Sequence, residues 1–98
     1  SPEVEIPLDA PMEFALSQNF PNPFNPSTQI KYQLPEASDV LLEVYDIQGS
    51  LIERLVSGKQ EAGYYQVTLD AGKLSTGVYI YRLTAGKFTK TMKLMLMK

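Results

Sequence analysis

Over most of its length the chain alternates apolar and polar residues with a period of two. From Ser27 to Leu34, Ile30, Tyr32 and Leu34 fall on one side, and Gln29, Lys31 and Gln33 on the other. Successive side chains of extended backbone point to opposite faces, so this pattern predicts a half-buried strand. Pro35 ends it, and Pro35-Glu36-Ala37-Ser38-Asp39 reads as a turn. Val40, Leu42 and Val44 form the next apolar face, opposite Leu41, Glu43 and Tyr45. Asp46-Ile47-Gln48-Gly49 then reads as a tight turn, with Asp and Gly at the positions that each relieve a backbone constraint. Gly63 to Asp70 presents Tyr65, Val67 and Leu69, and Gly77 to Ala85 presents Tyr79, Tyr81 and Leu83. Ala85-Gly86 opens a hairpin turn into Phe88 to Met97, which places Phe88, Met92, Leu94 and Leu96 together.

Two segments follow the pattern less cleanly. Phe14 to Gln18 predicts a short first strand, stopped by a proline cluster. Ser50 to Val56 carries Leu51, Ile52, Leu55 and Val56 without alternation, and a bulged strand suits its neighbours better than a short helix. These elements make seven strands and no convincing helix. Strands apolar on one face must stack in two layers to bury it. The expected fold is therefore all-β, an immunoglobulin-like antiparallel β-sandwich of about seven strands.

The glycines repeat at spacings of 9, 5, 9, 5 and 9, which aligns GKQEAGYYQVTLDA (58–71), GKLSTGVYIYRLTA (72–85) and GKFTKT (86–91). Three such units are too few and too short for a solenoid, and each reads as a turn plus one strand of a β-meander.

Ninety-eight residues correspond to about one domain, large enough to bury a core. With no cysteine, disulfides and thiol chemistry are excluded. With no histidine, the usual general base and zinc ligand are missing. A net charge of −2 argues against nucleic acid as a partner. No apolar run approaches a transmembrane segment, and Ser1 onward lacks a signal-peptide pattern, so any export signal is expected on a longer parent chain. All seven prolines precede residue 36, and Ser1 to Glu13 holds four acids and no base. Residues 1–13 are therefore expected as an acidic, proline-containing linker, and 14–98 as the domain. The last twelve residues carry Lys87, Lys90, Lys93 and Lys98 with no acid, either a solvated end or a basic patch read by a partner.

The candidates for chemistry are weak. Asp39, Glu43, Asp46, Glu53 and Asp70 have no spacing that implies a glycosidase cleft, and they read as solvated faces and turns. No calcium-loop or phosphate-loop motif is formed, so no metal or cofactor is expected. Tyr32, Tyr65, Tyr79 and Tyr81 fall on core faces, which leaves Tyr45 and Tyr64 as surface aromatics. Three prolines within six residues make QNFPNPFNPST (18–28) a rigid loop, expected to close one end of the sandwich with Phe20 or Phe24 tucked beneath it.

QNFPNPFNPSTQIKYQLPEA (18–37), VYDIQGSLIERLVSG (44–58), AGYYQVTLDAGKLSTGVYIYRL (62–83) and TKTMKLMLMK (89–98) together resemble the C-terminal sorting domain of the type IX secretion system, a family of Bacteroidetes-related bacteria. The resemblance implies an immunoglobulin-like sandwich that acts as a non-catalytic C-terminal sorting signal. It would direct a larger cargo protein from the periplasm across the outer membrane, to the cell surface or medium. The implied partners are the secretion machinery, a sortase-like peptidase that removes the domain on export, and an N-terminal cargo domain on the parent chain. The matching positions are Pro21, Asn22, Pro23 and Phe24; Asp46 and Gly49; Gly77 and Tyr79; and Lys90, Lys93 and Lys98. Phe20 stands where tyrosine is common, Ser50 where a basic residue is usual, and Gly72-Lys73 replaces an apolar Ser-Gly. A free final strand would also offer an edge for partner β-augmentation or for a homodimer. The alternatives from the residues alone are a carbohydrate-binding or spacer sandwich appended to a secreted hydrolase and, third, a calcium-stabilised adhesion module.

Overall fold

The computed structural model describes residues 11–23 and 26–97. The expected linker lies outside the described residues as far as Ala10, as do Phe24 and Lys98 among the motif positions. Seven strands follow one another: β1 (Ala15–Leu16), β2 (Ser27–Leu34), β3 (Ser38–Asp46), β4 (Leu51–Gln60), β5 (Gly63–Asp70), β6 (Gly77–Ala85) and β7 (Phe88–Leu96). They form two antiparallel sheets, ordered β1-β2-β5 and β4-β3-β6-β7. The all-β sandwich is as the alternation predicts, and this 3 + 4 division is consistent with an immunoglobulin-like arrangement.

The core is the union of the two inward faces. Ile30, Leu34 and Leu69 of one sheet meet Leu42, Val44, Tyr81, Leu83, Leu94 and Leu96 of the other, all fully enclosed. Two stacked aromatic pairs continue it: Tyr32 on Tyr65 at 5.2 Å, and Phe14 on Phe88 at 5.3 Å between ring centres. The second pair fastens the segment leading into β1 to the start of β7.

Several details depart from the alternation. The repeat of turn plus strand exists, but it is not a meander throughout. β5 pairs with β2, whereas β6 pairs with β3 and β7, so the chain changes sheet between them. β4 reaches Gln60, and the β3–β4 register slips between Leu42 and Glu43 and again between Val44 and Tyr45. Those two bulges explain why the apolar residues of β4 fail to alternate. Glu43 does point outward, yet it is only 4% exposed, because Arg54 and Arg82 lie directly opposite it on the flanking strands. It is not a solvated carboxylate. Tyr45 is half-buried, since the Arg82 guanidinium rests 4.9 Å above its ring, while Tyr64 is exposed.

Candidate functional site

Strand directions place the connecting loops at two ends of the sandwich. One end gathers residues 17–23 and 26, turn 47–50, loop 71–76 and the exit of β7. The other end gathers the connections after β2, β4 and β6. The chain enters at that second end, where Gln33 Nε2 donates to the Glu13 carbonyl at 2.9 Å. The three motif groups around residues 21–23, 46–49 and 77–79 all fall at the first end, away from the point of entry.

Segment 17–22 is held there by side chains. Asn19 is buried, and its Nδ2 donates to Thr28 Oγ1 at 2.9 Å and to the Pro21 carbonyl at 3.1 Å. Thr28 Oγ1 donates to the same carbonyl at 2.8 Å. A proline-rich stretch cannot donate from its own ring nitrogens, so side-chain amides and hydroxyls supply the bonds that fix it. The Phe20-Pro21 and Asn22-Pro23 peptide bonds are cis. Phe20 is not tucked beneath this segment: it is 80% exposed and bridges antiparallel to Gln29 on the outer side of β2. Asn19 and Thr28 are buried there, and Phe24, the other residue expected beneath the loop, lies outside the described residues.

The segment also reaches the last strand. β7 is the edge of its sheet, and the backbone groups of Lys93 and Met95 face outward from it. Asn22 Oδ1 accepts the Met95 N–H at 2.9 Å, and Gln18 Nε2 donates to the Lys93 carbonyl at 2.7 Å. Tyr81 adds a third tie, its hydroxyl donating to the Ser17 carbonyl at 2.6 Å. Burial of that phenol pushes its pKa up to about 12, so the hydroxyl stays a donor across the physiological range. The first and last motif segments, more than seventy residues apart in sequence, are thus one structural unit.

The Asp46–Gly49 turn is self-contained. Asp46 Oδ1 accepts the N–H groups of Gln48 and Ser50, both at 2.9 Å, and the Gly49 N–H donates to the Asp46 carbonyl at 3.0 Å. Gly49 has φ +90°, a left-handed value that side chains disfavour. Both motif residues therefore have a local structural purpose, and the turn projects Ile47 into solvent at 69% exposure. Gly77 opens β6 opposite Leu96. Tyr79 faces the core and its hydroxyl donates to the Ser75 carbonyl at 2.7 Å, pinning loop 71–76. Lys93 is exposed beside this end, whereas Lys90, opposite Leu83, is exposed nearer the entry end.

Alternation alone did not single out Gln18, Asn19, Thr28 or Ile47. The one signal for the first three was the density of amides and hydroxyls around prolines that cannot bond for themselves. Chemically, the end offers rigid loops, amide and carbonyl groups, a lysine and exposed apolar side chains. These features suit binding.

A family model described as a secretion system C-terminal sorting domain matches residues 18–97. The chain belongs to this family. Its match begins at Gln18, the first residue of the segment that clamps β7, and ends at Met97, just beyond that strand. The family match thus spans both sheets from β2 to β7. No curated protein and no solved structure matches the chain.

Proposed function

We propose that this sorting domain is a non-catalytic address for type IX secretion, read at the end where its motif segments converge. The family supports a role in export across the outer membrane, to the cell surface or the medium. The observation that carries the finer reading is the joining of segment 17–22 to the β7 edge, through Asn22 with Met95 and Gln18 with Lys93. This joining makes a composite surface from Pro21, Asn22, Pro23 and Lys93, with Asp46 and Gly49 in a separate turn at the same end, and it exists only when the domain is folded. The described chain begins its path at the opposite end, where Glu13 meets Gln33, away from this surface. Removal of the domain by a sortase-like peptidase would then act on the acidic, proline-containing sequence that precedes it, which has the composition of a linker. Lys90, Lys93 and Lys98 would supply the charge and the β7 edge the backbone groups for docking to the export machinery.

The test is localisation of a periplasm-targeted fluorescent reporter fused to residues 1–98, in a bacterium that has this secretion system. Surface or medium fluorescence is expected, and folded reporter retained in the periplasm would overturn the reading. Deleting β7 is a poor control, because it strips Leu94 and Leu96 from the core. Lys93→Ala/Lys98→Ala tests the charge, with reduced export expected and normal export removing the lysines from the account.

A further inference from the structure

The outer faces of the two sheets differ in kind. On the three-stranded sheet, β2 and β5 present Ser27, Gln29, Lys31 and Gln33 beside Gln66 and Thr68, a polar surface interrupted by two separate aromatics, Tyr64 and, bridged to Gln29, Phe20. On the four-stranded sheet the register builds two rows across all four strands. The first runs Arg54, Glu43, Arg82, Thr91, and the second Leu51, Tyr45, Ile80, Lys93. Beyond the second row lie Val78 and Met95, directly paired, with Ile47 projecting from the adjoining turn. Ile47, Leu51 and Met95 are 69%, 47% and 41% exposed, so they form an apolar surface in water and not the rim of a core. A shallow groove of about 330 Å³ runs beside Ile47 and is floored by Tyr45 and Ile80.

The charge around this surface is positive in excess, with Arg54, Arg82 and Lys93 against Glu43 and Asp46. Arg54 and Arg82 share the single carboxylate of Glu43, and Lys93 stands at the end of the second row. The Asp46 carboxylate is engaged by two N–H groups of its own turn. We infer that the outer face of the four-stranded sheet beside the Asp46–Gly49 turn is a docking surface for a component of the export machinery, one whose contact face has an apolar centre and an acidic rim. This inference rests on the sorting reading and deepens it by naming the partner's chemistry. A second copy of the domain is a poor occupant, because an isologous contact would set one net-positive surface against another.

The test uses the whole chain and two readouts. The first is 8-anilino-1-naphthalene sulfonate, an apolar anion that matches the surface without being its ligand. The folded chain is expected to raise the dye's fluorescence. Ile47→Glu/Leu51→Glu should weaken that binding about tenfold, as loss of central apolar anchors does, and Tyr64→Glu on the other sheet should leave it unchanged. The second readout is export of the reporter fusions carrying the same substitutions. The unsubstituted and Tyr64→Glu fusions are expected outside the cell, and the patch variant in the periplasm. Ile47→Ser/Leu51→Ser adds no charge and should show the same pattern at smaller amplitude, with circular dichroism confirming that each chain is folded. An absence of dye binding, equal binding by the patch variant, or its export at the unsubstituted level overturns the inference and leaves the sorting reading standing. So does a dimer in sedimentation that the patch substitutions dissociate. Retention of the unsubstituted fusion overturns the sorting reading itself, and with it the assignment of the partner.

Discussion

Replacing Glu43 with glutamine removes one charge from the centre of the four-stranded sheet while keeping the shape of the side chain. Glu43 Oε2 accepts from Arg54 Nε at 2.9 Å, Oε1 accepts from the Tyr45 hydroxyl, and an Arg82 nitrogen stands 3.8 Å from Oε1. The Tyr45 hydroxyl bond first, and the two guanidiniums after it, hold the carboxyl below the ordinary glutamate value of 4.5. A hydrogen bond to a charged group contributes about 1.5–3 kcal/mol. The two arginine side chains are 51% and 45% exposed, so solvent screens much of their attraction. With that discount, and one acceptor kept by glutamine, Glu43→Gln should cost about 1–2 kcal/mol near pH 7. For a domain of this size that lowers the melting temperature by about 5–15 °C. The sign of the pH dependence follows from the direction of the shift. A carboxyl whose folded pKa lies below its unfolded value stabilises fully above the unfolded value and loses that contribution as pH falls through the folded one. Urea unfolding of both chains at about pH 7 and about pH 3 should therefore show a gap that narrows in acid. A gap that is absent at neutrality, or constant across pH, would refute the assignment of stabilising charge to Glu43.

Three further outcomes are expected. Leu42→Ala empties a fully buried position between the sheets, and a loss of about 2–5 kcal/mol should appear in chemical unfolding, a large share of about 5–15 kcal/mol in total. Gly49→Ala meets no atom within 4 Å but must adopt φ +90°, so a loss of about 1–2 kcal/mol should register in a thermal melt without rearrangement of the turn. Asn22→Ala deletes the acceptor of the Met95 N–H on an exposed edge; stability should fall by less than about 1 kcal/mol, while exchange of the Met95 amide quickens about two- to fivefold relative to that of Leu94.

The strands were legible because each buries one face only. Ile30, Tyr32 and Leu34 alternate with Gln29, Lys31 and Gln33, and that period survives folding unchanged. Sheet membership was less legible. The glycine spacing is the same before β5 and before β6, yet one strand joins β2 and the other joins β3, a choice made by long-range packing. Glu43 illustrates a related limit. Its outward direction follows from its place between Leu42 and Val44, but its burial depends on Arg54 and Arg82, which only the strand register sets opposite it. Phe20 fails in the other direction. An apolar residue among prolines reads as a plug, whereas Asn19 and Thr28 fill the interior by satisfying each other, and the ring is left in solvent. The motif positions were legible as a set, through resemblance. That Pro21 to Pro23, Asp46, Gly49, Gly77, Tyr79 and Lys93 share one end while Lys90 lies nearer the other was not, because it depends on strand directions and on the bonds from Gln18 and Asn22 to β7.

The most direct test of the central claim compares the two ends of the domain in one export assay. Reporter fusions would carry the unsubstituted chain, Asn22→Ala/Lys93→Ala at the motif end, and Lys87→Ala in the turn at the entry end, with each shown to be folded. The account predicts that the first and third reach the surface or medium and that the second accumulates in the periplasm. Equal export of all three, or retention of Lys87→Ala alone, would contradict it.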